Sequence, residues 1–143
     1  MANESVNAAE SASSSEMRAT VVRLIDAISA MDEAALRPLL ADDAIMELPF
    51  APPAFPASKS GGDAMAAGIG GAGRFFTKFR MTPRAFYPSP ETNSIIVETD
   101  SEGTLHNGGS YSNRYIMLFR FRGNKIILWR EYFNPSRVPA LDL

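Results

Sequence analysis

Hydrophobic positions recur at helical spacing in the first part of the chain and alternate with polar ones in the last part. Ser13 and Glu16 have the spacing of a capping box, the sequence signature of a helix start. Apolar residues then follow on one helical face: Met17, Val21, Leu24, Ile25 and Ile28. The pattern predicts an amphipathic first helix over residues 15–30.

The next segment predicts a short helix, a strand and a third helix. Asp32 can cap the short helix, whose buried stripe consists of Leu36, Leu39 and Leu40. A strand is expected over residues 44–50. Three prolines and two glycines make residues 52–62 a loop and a candidate lid. An Ala/Gly-rich helix, loosened by its glycines, is predicted over residues 63–79.

Strand patterns alone occupy the rest of the chain. They cover residues 81–88, 94–104, 110–121 and 125–133. Helices followed by strands indicate an α+β fold, with the helices packed on one side of a curved antiparallel sheet. We expect residues 1–14 to form a mobile, disordered tail and residues 15–143 to form a single domain.

The last hairpin allows two registers, which place different residues opposite Glu131. A two-residue loop of Gly123 and Asn124 would pair Glu131 with Ile116. A three-residue loop ending at a left-handed Asn124 would pair Glu131 with Tyr115. A slip of one residue exchanges the two faces of a strand, so the choice matters.

The three-residue loop separates aromatic from basic residues better, and the sequence therefore favours it. Its first face would hold Tyr111, Asn113, Tyr115, Met117, Phe119, Ile127, Trp129, Glu131 and Phe133. Its second face would hold Arg114, Ile116, Leu118, Arg120, Leu128 and Arg130.

Composition excludes several classes of function. The chain has 143 residues, 45% of them hydrophobic and 21% charged, which is typical of one globular domain. A net charge of −2 gives no electrostatic footprint for nucleic acid or for an anionic membrane. Without cysteine, there is no disulfide, thiolate metal site or cysteine nucleophile. No signal peptide or spanning segment is recognisable, and we expect a cytoplasmic protein.

Three segments carry a resemblance to a known family: "LLADDAIMELP" (39–49), "YSNRYIMLFRFRGNKI" (111–126) and "LWREYFNP" (128–135). With the predicted element order, they resemble the SnoaL-like branch of the nuclear-transport-factor-2-like superfamily, in particular the phenazine-biosynthesis A/B proteins. Limonene epoxide hydrolase and ketosteroid isomerase are more distantly similar. The resemblance implies a cone-shaped domain that encloses an apolar cavity. It also implies a homodimer formed through the convex face of the sheet.

Glu131 is the leading candidate for catalysis. It matches the acid/base glutamate in the "REFMNP"-like ending of the phenazine A/B proteins. A carboxyl group in an apolar pocket has its charged form destabilised, so its pKa rises toward neutrality, where it can transfer protons. The alternative is an ion pair of Glu131 with Arg114 or Arg130; Arg130 is disfavoured because adjacent strand residues point to opposite faces.

Asp43 is the second candidate carboxylate, because the phenazine A/B pattern also has an acid after the second helix. Asp42 and Asp43 are explained equally well as solvated turn residues. Glu47 either reaches the mouth of the cavity or faces solvent, and we favour solvent.

Glu98 and Asp100 share one strand face and form a further carboxylate pair. The epoxide hydrolases place an arginine on the corresponding strand, which here reads "IIVETDSEG" and has none. This difference weighs against an epoxide hydrolase mechanism. We interpret the pair as an exposed acidic face.

His106 and the "GIGGAG" run (68–73) are interpreted as structural. The phenazine A/B histidine lies on the third helix, whereas His106 lies in a Gly-rich loop, where we expect it to be exposed. A single histidine without cysteine forms no metal-binding constellation. The glycine run satisfies G-x-G-x-x-G, but no strand of a βαβ unit precedes it, so close helix packing explains it better than nucleotide binding.

The predicted aromatic face supplies the candidate ligand contacts. These are Tyr111, Asn113, Tyr115, Met117, Trp129 and Phe133. The hydroxyl and amide groups can donate to a ligand oxygen, or they can bond to one another within the core.

The sequence therefore predicts a cofactor-independent enzyme that carries out acid/base chemistry on a hydrophobic metabolite: isomerisation, cyclisation, dehydration or condensation. Its partners would be that small molecule and a second copy of the chain, with no nucleic acid or membrane. Two alternatives remain open: a non-catalytic binding or assembly protein with the same fold, and an epoxide hydrolase-like enzyme.

Overall fold

Helix α1 (Ser14–Ala30) starts at the capping box that its sequence predicts. In the computed structural model, which describes residues 11–53 and 55–138, Ser13 Oγ accepts a hydrogen bond from Glu16 N at 3.1 Å, and Glu16 Oε1 accepts one from Ser13 N at 3.3 Å. The helix ends at Met31, a left-handed residue. Of the predicted tail, residues 1–10 lie outside the described residues. Ala12, however, is buried.

Two more α-helices and six strands follow α1. They are α2 (Glu33–Leu36), β1 (Leu40–Glu47), β2 (Ser58–Ser60), α3 (Gly62–Gly70), β3 (Phe76–Ser89), β4 (Ser94–Leu105), β5 (Ser110–Arg122) and β6 (Lys125–Phe133). Short 3-10 turns cover Arg37–Leu39, Gly71–Arg74, Pro90–Thr92 and Pro135–Arg137. The α+β class is confirmed. β1 begins four residues before its predicted start, so it contains Asp42 and Asp43.

The third helix is shorter than predicted. α3 ends at Gly70, the chain passes through a 3-10 turn, and β3 already begins at Phe76. Four glycines in six residues make a helix costly there, at about 1 kcal/mol for each glycine relative to alanine. A Cβ on Gly70 would lie 3.0 Å from the Glu33 side chain, so the small residue allows α3 to approach α2 closely. β2 precedes α3 but pairs antiparallel with β1, which excludes a βαβ unit.

The six strands form one open, mixed sheet in the order β2-β1-β6-β5-β4-β3. All neighbours are antiparallel except β1 and β6, which are parallel. The prediction of an entirely antiparallel sheet is therefore wrong at this pair. No local turn joins β1 to β6, so the sequence gives no signal for their relative direction.

The β5–β6 hairpin closes with the two-residue loop of Gly123 and Asn124, so the favoured three-residue loop is wrong. Further along the strands, the register agrees with neither predicted alternative. Arg122 opposes Lys125 across a two-residue loop, and Gly123 has φ +61°. The register then shifts between Arg120 and Phe121, which leaves Ile127 as an extra residue, and beyond this bulge Met117 opposes Glu131.

The predicted face of Glu131 is nevertheless correct. Its observed partner, Met117, lies two residues from the predicted partner, Tyr115. Side chains on a strand alternate with a period of two, so this difference preserves the face.

The core lies between α1 and the inner face of the sheet. The buried stripe of α1 packs mainly against β3. Fully buried side chains on the inner face include Ile95, Val97, Met117, Phe119, Ile126 and Trp129. The opposite face, which we call the outer face, carries partly exposed apolar side chains such as Ile45 and Ile116. In the described residues, no helix is long and apolar enough to span a bilayer.

Candidate active site

Glu131 lies on the inner face of β6 and is buried, with 9% of its surface exposed. It is opposite Met117 on β5, and Trp129 precedes it by two residues on the same face. Trp129 Nε1 donates a hydrogen bond of 3.3 Å to Glu131 Oε1. The described residues contain no cation within ion-pair distance of this carboxylate. Arg130, whose side chain points to the outer face, pairs with Glu47 instead at 2.7 Å.

The environment of Glu131 favours the neutral carboxyl group. Burial raises its pKa from the ordinary value of 4.5 to about 7, and the hydrogen bond from Trp129 opposes this rise only in part. Desolvation destabilises the charged form, and here no positive charge restores that loss. Both protonation states are therefore populated near neutral pH.

One carboxyl oxygen of Glu131 is accessible. Within the described residues, every fully buried side-chain nitrogen or oxygen has a hydrogen-bond partner. The hydrogen bond of Glu131 uses Oε1, so Oε2, which has no partner there, must retain accessible surface. Oε2 is thus the carboxyl oxygen that the described residues leave without a hydrogen bond.

A small pocket lies beside Glu131 on the inner face, and we call it the Glu131 pocket. Its volume is about 130 Å³. The residues that line it are Ile28, Met46, Ile69, Ala72, Phe76, Phe79, Met81, Tyr115, Trp129 and Glu131. Among the described residues that line it, polar side-chain atoms are few apart from those of Glu131 and Tyr115, and none belongs to an arginine, lysine or histidine.

Tyr115 begins a chain of polar side chains that leads away from the pocket. Its hydroxyl is 2.7 Å from Ser101 Oγ and 3.2 Å from the Tyr111 hydroxyl, which also accepts a hydrogen bond of 3.0 Å from Asn113 Nδ2. Asn113 also bonds to both main-chain groups of Asn134. Burial raises the pKa of Tyr115 and Tyr111, and the nearby Glu131 charge adds to this. Both hydroxyls therefore stay neutral.

Only some of the six predicted ligand-contact residues line the Glu131 pocket. Of the six, Tyr115 and Trp129 line the Glu131 pocket. Met117 is packed beneath them, where its sulfur accepts a hydrogen bond of 3.1 Å from Thr99. The Phe133 ring contacts the Tyr115 ring at 6.1 Å. Tyr111 and Asn113 support Tyr115 through the hydrogen bonds described above.

Asp43 does not lie at the Glu131 pocket. It is on β1, 67% exposed, and forms a two-point ion pair with Arg122, at 2.6 and 3.1 Å. This pairing lowers the pKa of Asp43, so the group is ionised over the physiological range. The structure thus separates the two carboxylates that the family resemblance brought together. Glu47 faces outward, as expected, in its ion pair with Arg130.

Glu98 and Asp100 lie on the outer face of β4, which agrees with the predicted direction of their side chains, but they are half-buried and not exposed. Asp100 pairs with Arg84 at 2.7 Å and lies 3.9 Å from Arg114. Glu98 accepts a hydrogen bond of 3.2 Å from the Tyr87 hydroxyl. Arginines from β3 and β5 thus flank the acids, but on the side of the sheet away from Glu131.

His106 is exposed in the loop between β4 and β5, as predicted, and its Nε2 lies 2.8 Å from the main-chain oxygen of Gly73. The described part of the chain contains no group of three or more histidine, aspartate or glutamate side chains that could hold a metal ion.

Sequence reasoning missed much of the lining of the Glu131 pocket. Phe79 and Met81 alternate along β3 but were assigned to the end of a helix and the start of a strand. Ile28 belongs to the predicted stripe of α1, and Met46 to the predicted first strand. Their periodicity shows that they are buried. It does not show that they meet at Glu131, because they come from separate elements.

The profile of the SnoaL-like domain family matches residues 21–129, more than half of the chain. The chain belongs to this family. A curated relative is a PhzA/B-like protein of Pseudomonas aeruginosa, 28% identical over 99 residues that cover 66% of this chain and 67% of the relative. The nuclear-transport-factor-2-like fold predicted from the sequence is thereby confirmed.

Two solved structures illustrate the shared fold. A presumed isomerase from Bacillus subtilis is 24% identical, with a TM-score of 0.76 over 87% of this chain and 90% of its own. The phenazine biosynthesis-related protein PhzB2 from P. aeruginosa is 21% identical, with a TM-score of 0.74 over 90% and 86%. At these identities the likeness shows the fold of the SnoaL-like chain and not its activity.

Proposed function

We propose that this SnoaL-like protein is a cofactor-independent enzyme that moves a proton on a hydrophobic small molecule, with Glu131 as the acid/base group. The observation that carries the proposal is a buried carboxyl group that lines an apolar pocket, has no cationic partner among the described residues and keeps one oxygen, Oε2, outside its hydrogen bond with Trp129. A group with a pKa of about 7 is well matched to proton transfer at neutral pH.

Isomerisation is the reaction that this arrangement favours. Glu131 is the sole carboxylate among the described residues that line the pocket, so in this reaction the same group takes a proton from one carbon and returns it to another. The proton taken up by Oε2 leaves a conjugated anion on the ligand, and its return to a second carbon moves the double bond with no net loss of atoms. The neutral Tyr115 hydroxyl lines the same pocket and can donate to an oxygen of that anion.

The test is proton exchange, which can be measured on a ligand whose product has not been identified. Unsaturated ketones that bind the protein are incubated with it in D2O, and deuterium incorporation at carbon is followed by NMR. The Glu131→Gln variant should lower the exchange rate about 10²–10⁴-fold. Glu98→Gln, a carboxylate change on the outer face, should leave it unaltered. Equal exchange by wild type and Glu131→Gln would remove Glu131 from the mechanism.

A second candidate is a ligand-binding protein without catalysis. Its support is the position of Asp43, which places the second predicted carboxylate in an ion pair with Arg122 instead of at the pocket. Binding of ligands without deuterium exchange in any of them would favour this function. Epoxide hydrolysis has weaker support, because Asp100 and its arginines lie on the outer face.

We also propose that the outer face joins two copies of the chain. Ile45, Tyr87 and Ile116 leave apolar surface exposed there, at 42%, 53% and 41%. Sedimentation equilibrium of wild type and Ile116→Arg tests this: a dimer that the arginine converts to monomer is expected, and a monomeric wild type would contradict it.

A further inference from the structure

The size of the Glu131 pocket limits what can react there. Its volume of about 130 Å³ is slightly below that of an engineered protein cavity of about 150 Å³ that holds benzene. A single carbocycle fits within such a volume, whereas two fused rings would project through the open side of the pocket. This limit narrows the hydrophobic metabolite that the sequence predicts to a small one.

Packing fixes the end of the pocket that is formed by β3. The Phe76 and Phe79 rings contact each other at 5.1 Å, and Phe76 also contacts the Tyr111 ring at 5.7 Å. A Cβ on Gly103 would lie 3.0 Å from Phe76, so the ring rests directly on the glycine backbone. Phe76 has little room to move inward, and this wall does not yield to a larger ligand at low cost.

The lining also limits the charge of the ligand. The described residues that line the pocket include no cation to pair with an anionic ligand. An unpaired charge transferred into apolar surroundings is costly, and an anion would in addition be repelled by ionised Glu131. A neutral oxygen, in contrast, can accept a hydrogen bond from the Glu131 carboxyl group or from the Tyr115 hydroxyl.

From size, wall and charge together, we infer that the ligand of the Glu131 pocket is a neutral molecule of one ring that carries a single hydrogen-bonding oxygen, such as a cyclic enone. The inference rests on the proposed function in placing the ligand against Glu131. It adds that the wall in which Phe79 packs against Phe76 limits the size of the ligand on the β3 side.

The experiment compares four probes by NMR titration of the protein: cyclohex-2-enone, 2-decalone, androst-4-ene-3,17-dione and benzoate. Cyclohexenone should shift the signals of pocket residues, and the other three should bind at least about tenfold more weakly, as expected when a well-packed wall must move or a charge is buried unpaired. Stronger binding of decalone, the steroid or benzoate would overturn the inference. Stronger binding of cyclohexylamine than of cyclohexenone would overturn the neutral-ligand part.

Two variants test the wall in opposite directions. Phe79→Ala lengthens the pocket and should allow 2-decalone to bind. Ala72→Leu fills the pocket and should weaken the binding of cyclohexenone about tenfold or more. Circular dichroism and the pKa of Glu131 verify that each variant keeps its fold. If neither variant alters selectivity while both stay folded, the size limit is wrong.

The tests of ligand size and the test of deuterium exchange give independent answers. Selective binding of small ligands without deuterium exchange would support the inference on ligand size and contradict the proposed enzymatic function. Deuterium exchange in ligands of two or more rings would support the enzyme and overturn the inference on ligand size.

Discussion

Trp129 Nε1 lies 3.3 Å from Glu131 Oε1, two residues along the same face of β6. The indole is 1% exposed and packs against the Phe119 ring at 5.7 Å, so its orientation is fixed by the core. Because Trp129 bonds to Oε1, Oε2 stays outside this hydrogen bond in a residue that lines the pocket. A neutral donor of this kind orients the glutamate without supplying the positive charge that would hold it ionised.

Trp129→Phe should raise the pKa of Glu131 above about 7. The indole hydrogen bond lowers that pKa, and phenylalanine removes the donor while keeping an aromatic ring in the core. The measurement is a carboxyl-resolved NMR titration of both proteins.

Tyr87→Phe is a matched control for this prediction, because it removes a donor to Glu98 on the outer face. The control should leave the pKa of Glu131 unaltered. A pKa that is the same in wild type and Trp129→Phe would show that the indole does not tune the carboxyl group.

The stability of the protein should fall as the pH rises through about 7. The pKa of Glu131 is higher in the folded state than its ordinary value of 4.5, so the stabilisation is complete below 4.5 and is lost as the folded group ionises. The pKa difference corresponds to about 3 kcal/mol of unfolding free energy. Urea unfolding of wild type and Glu131→Gln at about pH 5 and about pH 8.5 isolates this group.

Between about pH 5 and about pH 8.5, wild type should lose about 2–3 kcal/mol more of its unfolding free energy than Glu131→Gln does. Other groups, including Asp43, titrate in both proteins and cancel in the comparison. Parallel pH profiles for the two proteins would mean that Glu131 is not desolvated in the native state.

Asp43→Asn should leave the pKa of Glu131 and any proton exchange unaltered. Asp43 lies at the surface in its ion pair with Arg122, away from the Glu131 pocket. The pairing lowers the pKa of Asp43, so its contribution to stability is present above 3.8 and is lost as the pH falls through the lower, folded value. A large loss of exchange in folded Asp43→Asn would restore Asp43 as a catalytic candidate.

Asn113→Ala should destabilise the fold by about 2 kcal/mol. The buried amide bonds to the Tyr111 hydroxyl and to both main-chain groups of Asn134, and alanine removes all three of these hydrogen bonds. Urea unfolding gives the free energy. Ser112→Ala, an exposed neighbour on β5, should alter it by no more than about 0.5 kcal/mol. Equal free energies of unfolding for the two variants would show that water replaces the hydrogen bonds of the amide.

Local signals in the sequence were sufficient for the elements and for the face of Glu131. The capping box, the apolar stripe of α1 and the alternation along β5 and β6 all act over a few residues. Alternation alone places Glu131 with Trp129 on the inner face, and this held although neither predicted register sets Met117 opposite Glu131. The glycine run indicated that the third helix would be loose, but its length was overestimated because Phe76 and Phe79 suit a strand as well as a helix.

Tertiary structure decided the arrangement around that carboxyl group. The bulge at Ile127 sets Met117 opposite Glu131, and Arg122 draws Asp43 into an ion pair across 79 positions of sequence. The parallel pairing of β1 with β6 and the walls of the Glu131 pocket likewise join distant segments. Periodicity reports which side chains avoid water, because burial acts on each residue separately. Which of them meet, and how much space they leave, depends on packing between elements, and no short stretch of sequence encodes it.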